Sequence, residues 1–257
     1  MLMDTSRLFC RILAALALPF TGVLCGAEPI VFSAEQNYRE NFRSMPDVTL
    51  FRFEEGGLWA KRSKAWYGGA VYEPRGREKI TDSGRVEAVF AYEGEQGVRT
   101  FCSLLARYDG NSGTALAGCV LVPSPERIRL VVRFNFAPFS PPGGPAPETL
   151  VDWEFDVKAG GQGYYRDALN RNDAFGHTGR SLHPGDRLIV RLEQTEKPQR
   201  AFRLTVLGEA GETIATTGFQ SHERLSTLVP QGAVGMSAYV APGDAIRFFS
   251  FAADTDE

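Results

Sequence analysis

Histidine and cysteine are scarce in this chain: its 257 residues include three histidines and four cysteines. His177, His183 and His222 are scattered, with no H-x-x-x-H or related ligand spacing. The cysteines lack zinc-ligand spacing, and no EF-hand loop is present. No Gly-x-Ser-x-Gly elbow occurs either. These absences leave no sequence-defined metal centre and no serine-hydrolase nucleophile. Positive charge is not in excess, with 28 Lys and Arg against 31 Asp and Glu. A chain without a basic stripe has little with which to neutralise phosphates, so nucleic acid is not an expected partner. Long runs of helix formers with a 3.6-residue period are missing too, and that points away from a helical fold.

One apolar run does occur, at the N-terminus. Arg7 and Arg11 precede an apolar stretch from Ile12 to Leu24, broken by Pro19 and Gly22. Cys25-Gly26-Ala27 follows, with small residues where an export peptidase would read them before a cut after Ala27. This three-part pattern predicts a cleavable signal peptide over residues 1–27 and a location in the periplasm or outside the cell. The run is too short to span a bilayer, which takes roughly 20 apolar residues. A buried N-terminal helix and a lipid anchor on Cys25 are the competing readings. Loss of residues 1–27 removes Asp4, Arg7 and Arg11, leaving 26 of the 28 basic and 30 of the 31 acidic residues. No second long apolar run follows, so no membrane span is expected in the mature chain, residues 28–257.

That mature length suits one large domain. Roughly a dozen strand-like segments recur between turn signals, without a fixed repeat. They include Val48–Phe53, Leu58–Arg62, Ala70–Tyr72, Arg85–Tyr92, Ile128–Phe136 and Val151–Val157. Later come Arg187–Gln194, Arg200–Leu207, Glu212–Thr217, Val234–Tyr239 and Ile246–Phe251. Trp66-Tyr67-Gly68-Gly69 reads as a turn, and Pro138 to Glu148 as a proline-rich exposed loop. Tyr164–Arg171 reads as a short helix within an irregular stretch. The predicted class is all-β, an antiparallel two-sheet β-sandwich.

Cys102 and Cys119 flank the turn-forming cluster Asp109-Gly110-Asn111-Ser112-Gly113, so Thr100–Arg107 and Leu116–Val122 form a hairpin. With the turn centred on Gly110-Asn111, the two cysteines stand opposite one another. A cross-strand disulfide is the expectation in an oxidising compartment, and two buried thiols are the alternative.

Several segments resemble the laminin-G-like, concanavalin A-like lectin/glucanase jelly rolls. Tyr38-Arg39-Glu40-Asn41-Phe42 looks like their opening strand. Leu58-Trp59 and Trp66 resemble the tryptophan positions of the second hairpin. Ser103-Leu104-Leu105-Ala106-Arg107-Tyr108-Asp109 is similar to a strand of the secreted bacterial members. Asp186–Leu192, Gln231–Met236 and Ile246–Phe251 look like later strands. The resemblance implies two curved antiparallel sheets with a concave face. It names no activity, since this fold carries lectins, binding modules, hydrolases and lyases. By the same analogy a calcium ion on loop carboxylates, Asp109 or Asp244, would suit such a fold.

Two constellations suggest chemistry. In Asp152-Trp153-Glu154-Phe155-Asp156 the alternation of a strand puts the three carboxylates on one face. Carboxylates two residues apart are spaced about as a retaining glycosidase requires. The segment resembles the catalytic strand of family 16 glycoside hydrolases, with Glu154 and Asp156 matching its first two acids. The position of the third acid falls on Lys158 or Ala159, which departs from that pattern. The other reading is an amphipathic strand with its acidic face in water.

The second constellation is the glycine-flanked segment 160–183. It carries Tyr164, Tyr165, Asn172, Asp173 and His177, residue types that stack on sugar rings and hold hydroxyls. Trp66 and Tyr67 form a smaller pair of that kind, and Arg107 joins the candidate ligand residues from the Ser103–Asp109 stretch. The segment reads alternatively as a surface loop pinned by its own aromatics. Together these observations predict an exported module that binds a polysaccharide or other glycan without catalysis or a required cofactor. A glycoside hydrolase or polysaccharide lyase using Glu154 and Asp156 is the alternative.

Overall fold

The computed structural model describes residues 29–44, 51–54, 56–61, 67–72, 84–94, 100–108, 115–134, 147–158, 164–165, 174–196, 199–228 and 232–254. These residues build two antiparallel sheets packed face to face. One sheet has nine strands. Its path runs β12 (Phe175–Gly176), β15 (Thr213–Thr216), β14 (Ala201–Gly208), β13 (Arg187–Thr195) and β6 (Gly84–Glu93). It continues through β17 (Ala245–Ala253), β4 (Gly57–Lys61) and β3 (Phe51–Glu54), while β1 (Ile30–Val31) pairs off the path with β17. The other sheet has eight strands. Its order is β11 (Tyr164–Tyr165), β10 (Glu148–Asp156), β9 (Arg127–Phe134), β8 (Leu116–Ser124), β7 (Phe101–Tyr108), β16 (Ala233–Tyr239), β5 (Tyr67–Tyr72) and β2 (Phe42–Ser44). The all-β, two-sheet expectation is met.

Alternation along the strands fills the space between the sheets. Val86, Ala88 and Phe90 of β6 face Leu188, Val190 and Leu192 of β13 along the nine-stranded sheet. Leu104 of β7, Leu130 of β9, and Trp153 and Phe155 of β10 meet them from the other side. A bulge between Phe248 and Ser250 keeps both Phe248 and Phe251 in this core although they are three residues apart.

Phenylalanine is plentiful because one edge of the sandwich is sealed by rings. Tyr38 stacks on Phe42 at 5.4 Å, and Phe42 meets Phe251 edge-on at 5.2 Å. Phe32 and Phe51 close the cluster.

Three local expectations are corrected. Tyr38–Asn41 belongs to a short helix, α1 (Glu35–Asn41), and only Phe42 of the predicted opening strand is extended. The side chains of Glu35 and Arg39 pair at 2.6 Å, Gln36 bonds Glu40 at 2.6 Å, and the four-residue spacing puts Tyr38 and Phe42 on one side. Tyr67-Gly68-Gly69 is strand and not turn, because all three pair with β16. Tyr164–Tyr165 is a short strand on β10 and not the start of a helix. The expected leader over residues 1–27 lies outside the described residues, as does the proline-rich stretch through 146.

The disulfide is corrected too. β7 pairs Cys102 with Val120 and Ser103 with Cys119. That is one residue away from the register that would set the cysteines opposite each other. A one-residue slip sends a side chain to the other face. Cys102 therefore lies in the core between the sheets, and Cys119 on the outward face. Both are buried free thiols.

Candidate functional site

The eight-stranded sheet is apolar on both faces at its centre. Outward from the core, Phe101, Leu105, Tyr108, Ala117, Leu121 and Val131 form a second cluster. All eight residues of β7 are buried, as in a strand covered on both faces. Polar groups enter this face in two ways. The Ser103 and Ser237 hydroxyls bond at 2.6 Å in the buried middle. Toward β9 and β10 the face turns charged and half-exposed.

There Asp152 and Glu154 point outward, while Trp153, Phe155 and Val157 are buried, as the alternation predicted. The carboxylates are not isolated. Arg129 donates from Nε and Nη2 to the two oxygens of Asp152, both at 2.6 Å. That bond holds the Arg129 guanidinium above its ordinary pKa. Arg127 donates to Glu154 at 2.7 Å. Asp156 is exposed and accepts the Lys158 backbone N–H at 3.0 Å. The Lys158 ammonium is turned to Glu126 at 3.0 Å, and that bond raises its pKa.

The register then joins residues that are far apart in the chain. Tyr164 pairs with Glu154, and Glu154 with Arg129. Arg129 pairs with Leu121, and Leu121 with Phe101. Phe101 pairs with Tyr239, and Tyr239 with Tyr67. This is one straight row across seven strands. At about 4.8 Å per strand it extends nearly 30 Å. The Phe101 and Tyr239 rings stack within it at 5.6 Å.

The register sets Tyr164 opposite Glu154 at one end of this row and Tyr67 at the other end, with Asp156 two residues along β10; Tyr165 pairs with Trp153, a position on the core face. His177 is exposed where the chain crosses toward the end of β10, since Thr178 N–H donates to the Val157 carbonyl at 2.6 Å. Trp66, Asn172, Asp173 and Asp109 lie outside the described residues.

Arg107 is elsewhere. It stands at the opposite end of β7, with a positive φ of 56° and 2% exposure, and donates to Glu196 at 3.2 Å. It ties β7 to the segment after β13. The other calcium candidate, Asp244, is buried, and its carboxylate accepts the Thr100 hydroxyl. Among the described residues no three His, Cys, Asp or Glu side chains converge as a metal-ligand set.

Sequence reasoning did not assign Arg127, Arg129 or Tyr239. The signal for the arginines was present as charged residues at alternate positions of an otherwise apolar strand.

No protein-family model matches the sequence, and no curated protein sequence matches it. Solved structures do match the architecture. A legume lectin-like domain from Entamoeba histolytica superposes with a TM-score of 0.53 at 8% identity, over 90% of this chain and 97% of that one. Lectin I-B4 of Griffonia simplicifolia, in a metal-free form, gives 0.51 at 12% identity, over 90% of this chain and all of that one (100%). The chain shares the two-sheet lectin-like fold of these structures. At such identities the likeness concerns the lectin fold alone. Within that fold, Glu154 and Tyr164 share one end of the row and Tyr67 is at the other.

Proposed function

We propose that this chain is an exported carbohydrate-binding module, residues 28–257, that holds a polysaccharide or glycan without catalysis of its own. The observation that carries the reading is the charged, half-exposed end of the row, where Tyr164 pairs with Glu154 beside Arg127, Arg129 and Asp152. A sugar presents an apolar ring face and vicinal hydroxyls. An Arg–carboxylate pair offers a donor and an acceptor side by side, which suits a diol. Two such pairs, Arg129–Asp152 and Arg127–Glu154, flank the row's half-exposed end. The lectin fold is consistent with this use, and the N-terminal sequence pattern supports export.

Binding is favoured over hydrolysis by the state of the carboxylates. Glu154 is engaged by Arg127, and the place of a third acid falls on Lys158 or Ala159. The test is a glycan array together with retention on insoluble polysaccharides. Asp152→Asn with Glu154→Gln should weaken binding by about tenfold or more. Failure to bind any glycan would overturn the reading. Release of reducing ends or unsaturated products that vanishes in Glu154→Gln would replace it with a hydrolase or lyase.

A further inference from the structure

The outward face of the nine-stranded sheet carries a second ordered row. Arg52 pairs with Trp59 across β3 and β4, and Trp59 with Arg247 of β17. Arg247 pairs with Ala91 of β6, and Ala91 with Arg187 of β13. Arginines therefore recur on every second strand. Two strand spacings put them about 9.6 Å apart, and the three cover about 19 Å.

Two of the three guanidinium groups in this row, those of Arg247 and Arg187, lie over rings. Arg247 lies over Trp59 at 5.3 Å and over Phe249 at 4.7 Å. Arg187 lies over the Phe249 ring at 4.3 Å, and Lys61 over Trp59 at 4.4 Å. Arg247 also donates from Nε and Nη2 to the Gly56 carbonyl, at 2.9 and 2.5 Å. Gly56 has φ 81°, and a Cβ there would strike the Arg247 guanidinium. A guanidinium stacked on a ring has already lost much of its rotamer freedom, so it binds an anion at a smaller entropic cost.

Carboxylates border the row without filling it. Glu54 is held by Lys61, Glu209 is 3.6 Å from Arg187, and Glu93 follows two residues after Ala91. Arg52 and Arg187 are exposed.

We propose that this row is a docking track for an extended acidic polysaccharide, whose carboxylates engage Arg52, Arg247 and Arg187 in turn. Charge complementarity and the even spacing select a linear polyanion with regularly recurring charges. A lipid surface fits less well, because the exposed large apolar residues among those described, Val31, Phe175 and Phe219, are all outside the row. A nucleic acid fits less well, because the rings in the row, Trp59 and Phe249, already carry Lys61, Arg247 and Arg187 over them and offer bases no open stacking platform. The track is on the sheet opposite the proposed glycan row and stands whether or not that row binds.

The experiment titrates the full chain with polygalacturonate oligomers at two salt concentrations, beside neutral oligosaccharides and a single-stranded DNA of equal charge. Arg52→Gln with Arg187→Gln changes two exposed side chains and leaves Arg247 on Gly56. The expected result is a loss of about tenfold per arginine in affinity for the uronate chain and a shallower salt dependence. Thermal melting of the double variant should match the parent, and neutral-glycan binding should not change. Unaltered uronate affinity in the double variant would overturn the track. Equal binding of the DNA, with equal loss in the variant, would overturn the polysaccharide assignment. Loss of neutral-glycan binding in Asp152→Asn with Glu154→Gln, with uronate binding retained, would separate the two faces.

Discussion

Ser103 stands directly opposite Cys119 on the outward face of the β7–β8 hairpin, and its hydroxyl bonds both that thiol and the Ser237 hydroxyl. Cys102, one residue back, faces the core. The two sulfurs are therefore separated by the sheet itself. Thiol titration of a chain of residues 28–257 should find no reactive thiol in the folded protein and two in denaturant, with or without prior reduction. A count of zero in unreduced denatured protein would mean that the hairpin register differs from the one described.

Burial also sets the chemistry of these thiols. It raises Cys102 well above its ordinary value and pushes Cys119 up to about 12, with Arg133 and the Ser103 hydrogen bond opposing the latter shift. A raised folded-state pKa contributes stability that is complete below the unfolded value and is lost as pH climbs to the folded one. For Cys119 the window runs from 9.0 to about 12. Urea midpoints measured across that window should fall for the parent and fall less steeply for Cys119→Ala. Parallel profiles for the two proteins would show that the thiol does not contribute.

Much of the sandwich was legible in the sequence because period-two alternation is a local property. Arg85–Tyr92 and Val151–Val157 announce their buried faces without any partner. What was not legible depends on pairing. Whether Cys102 meets Cys119 rests on the half-residue centre of one turn, and turn-residue composition does not fix that parity. The row from Tyr67 to Tyr164 needs β16 beside β7, a pairing between segments more than a hundred residues apart. The helix at Glu35–Asn41 was readable in part, since Tyr38 and Phe42 are four residues apart and flanked by two i,i+4 polar pairs. Arg107 was misleading for another reason. A charged residue near a strand end looks like a ligand group, whereas here a positive φ at a bulge turns it toward Glu196.

Gly176 gives a steric prediction. It lies where β12 approaches β10, and a Cβ there would sit 2.5 Å from the Phe155 Cβ. A Cβ is fixed to the backbone, so Phe155 cannot yield by changing rotamer. Gly176→Ala should cost about 1–3 kcal/mol by overpacking. Equilibrium unfolding in urea measures it, and Gly211→Ala is a contrasting control, since open space surrounds that site and only its φ of 84° is strained. A Gly176→Ala cost no larger than a few tenths of a kcal/mol would show that the sheets separate there easily.

The two Arg–carboxylate pairs beside the proposed glycan row should differ in strength. Arg129 and Asp152 have side-chain exposures of 38% and 27% and share two bonds. Arg127 and Glu154 have exposures of 60% and 34% and share one. Water screens the second pair more, and its single bond leaves more side-chain freedom to be lost. Double-mutant cycles to alanine, read by urea unfolding, should give a coupling of about 1 kcal/mol for Arg129–Asp152 and near zero for Arg127–Glu154. The difference matters for function. A pair that contributes little to folding can exchange its partner for a sugar hydroxyl at little cost, so Arg127→Ala should weaken glycan binding while leaving stability within about 0.5 kcal/mol. Equal couplings for the two pairs would remove this distinction, and Arg127 would then be a structural residue like its neighbour.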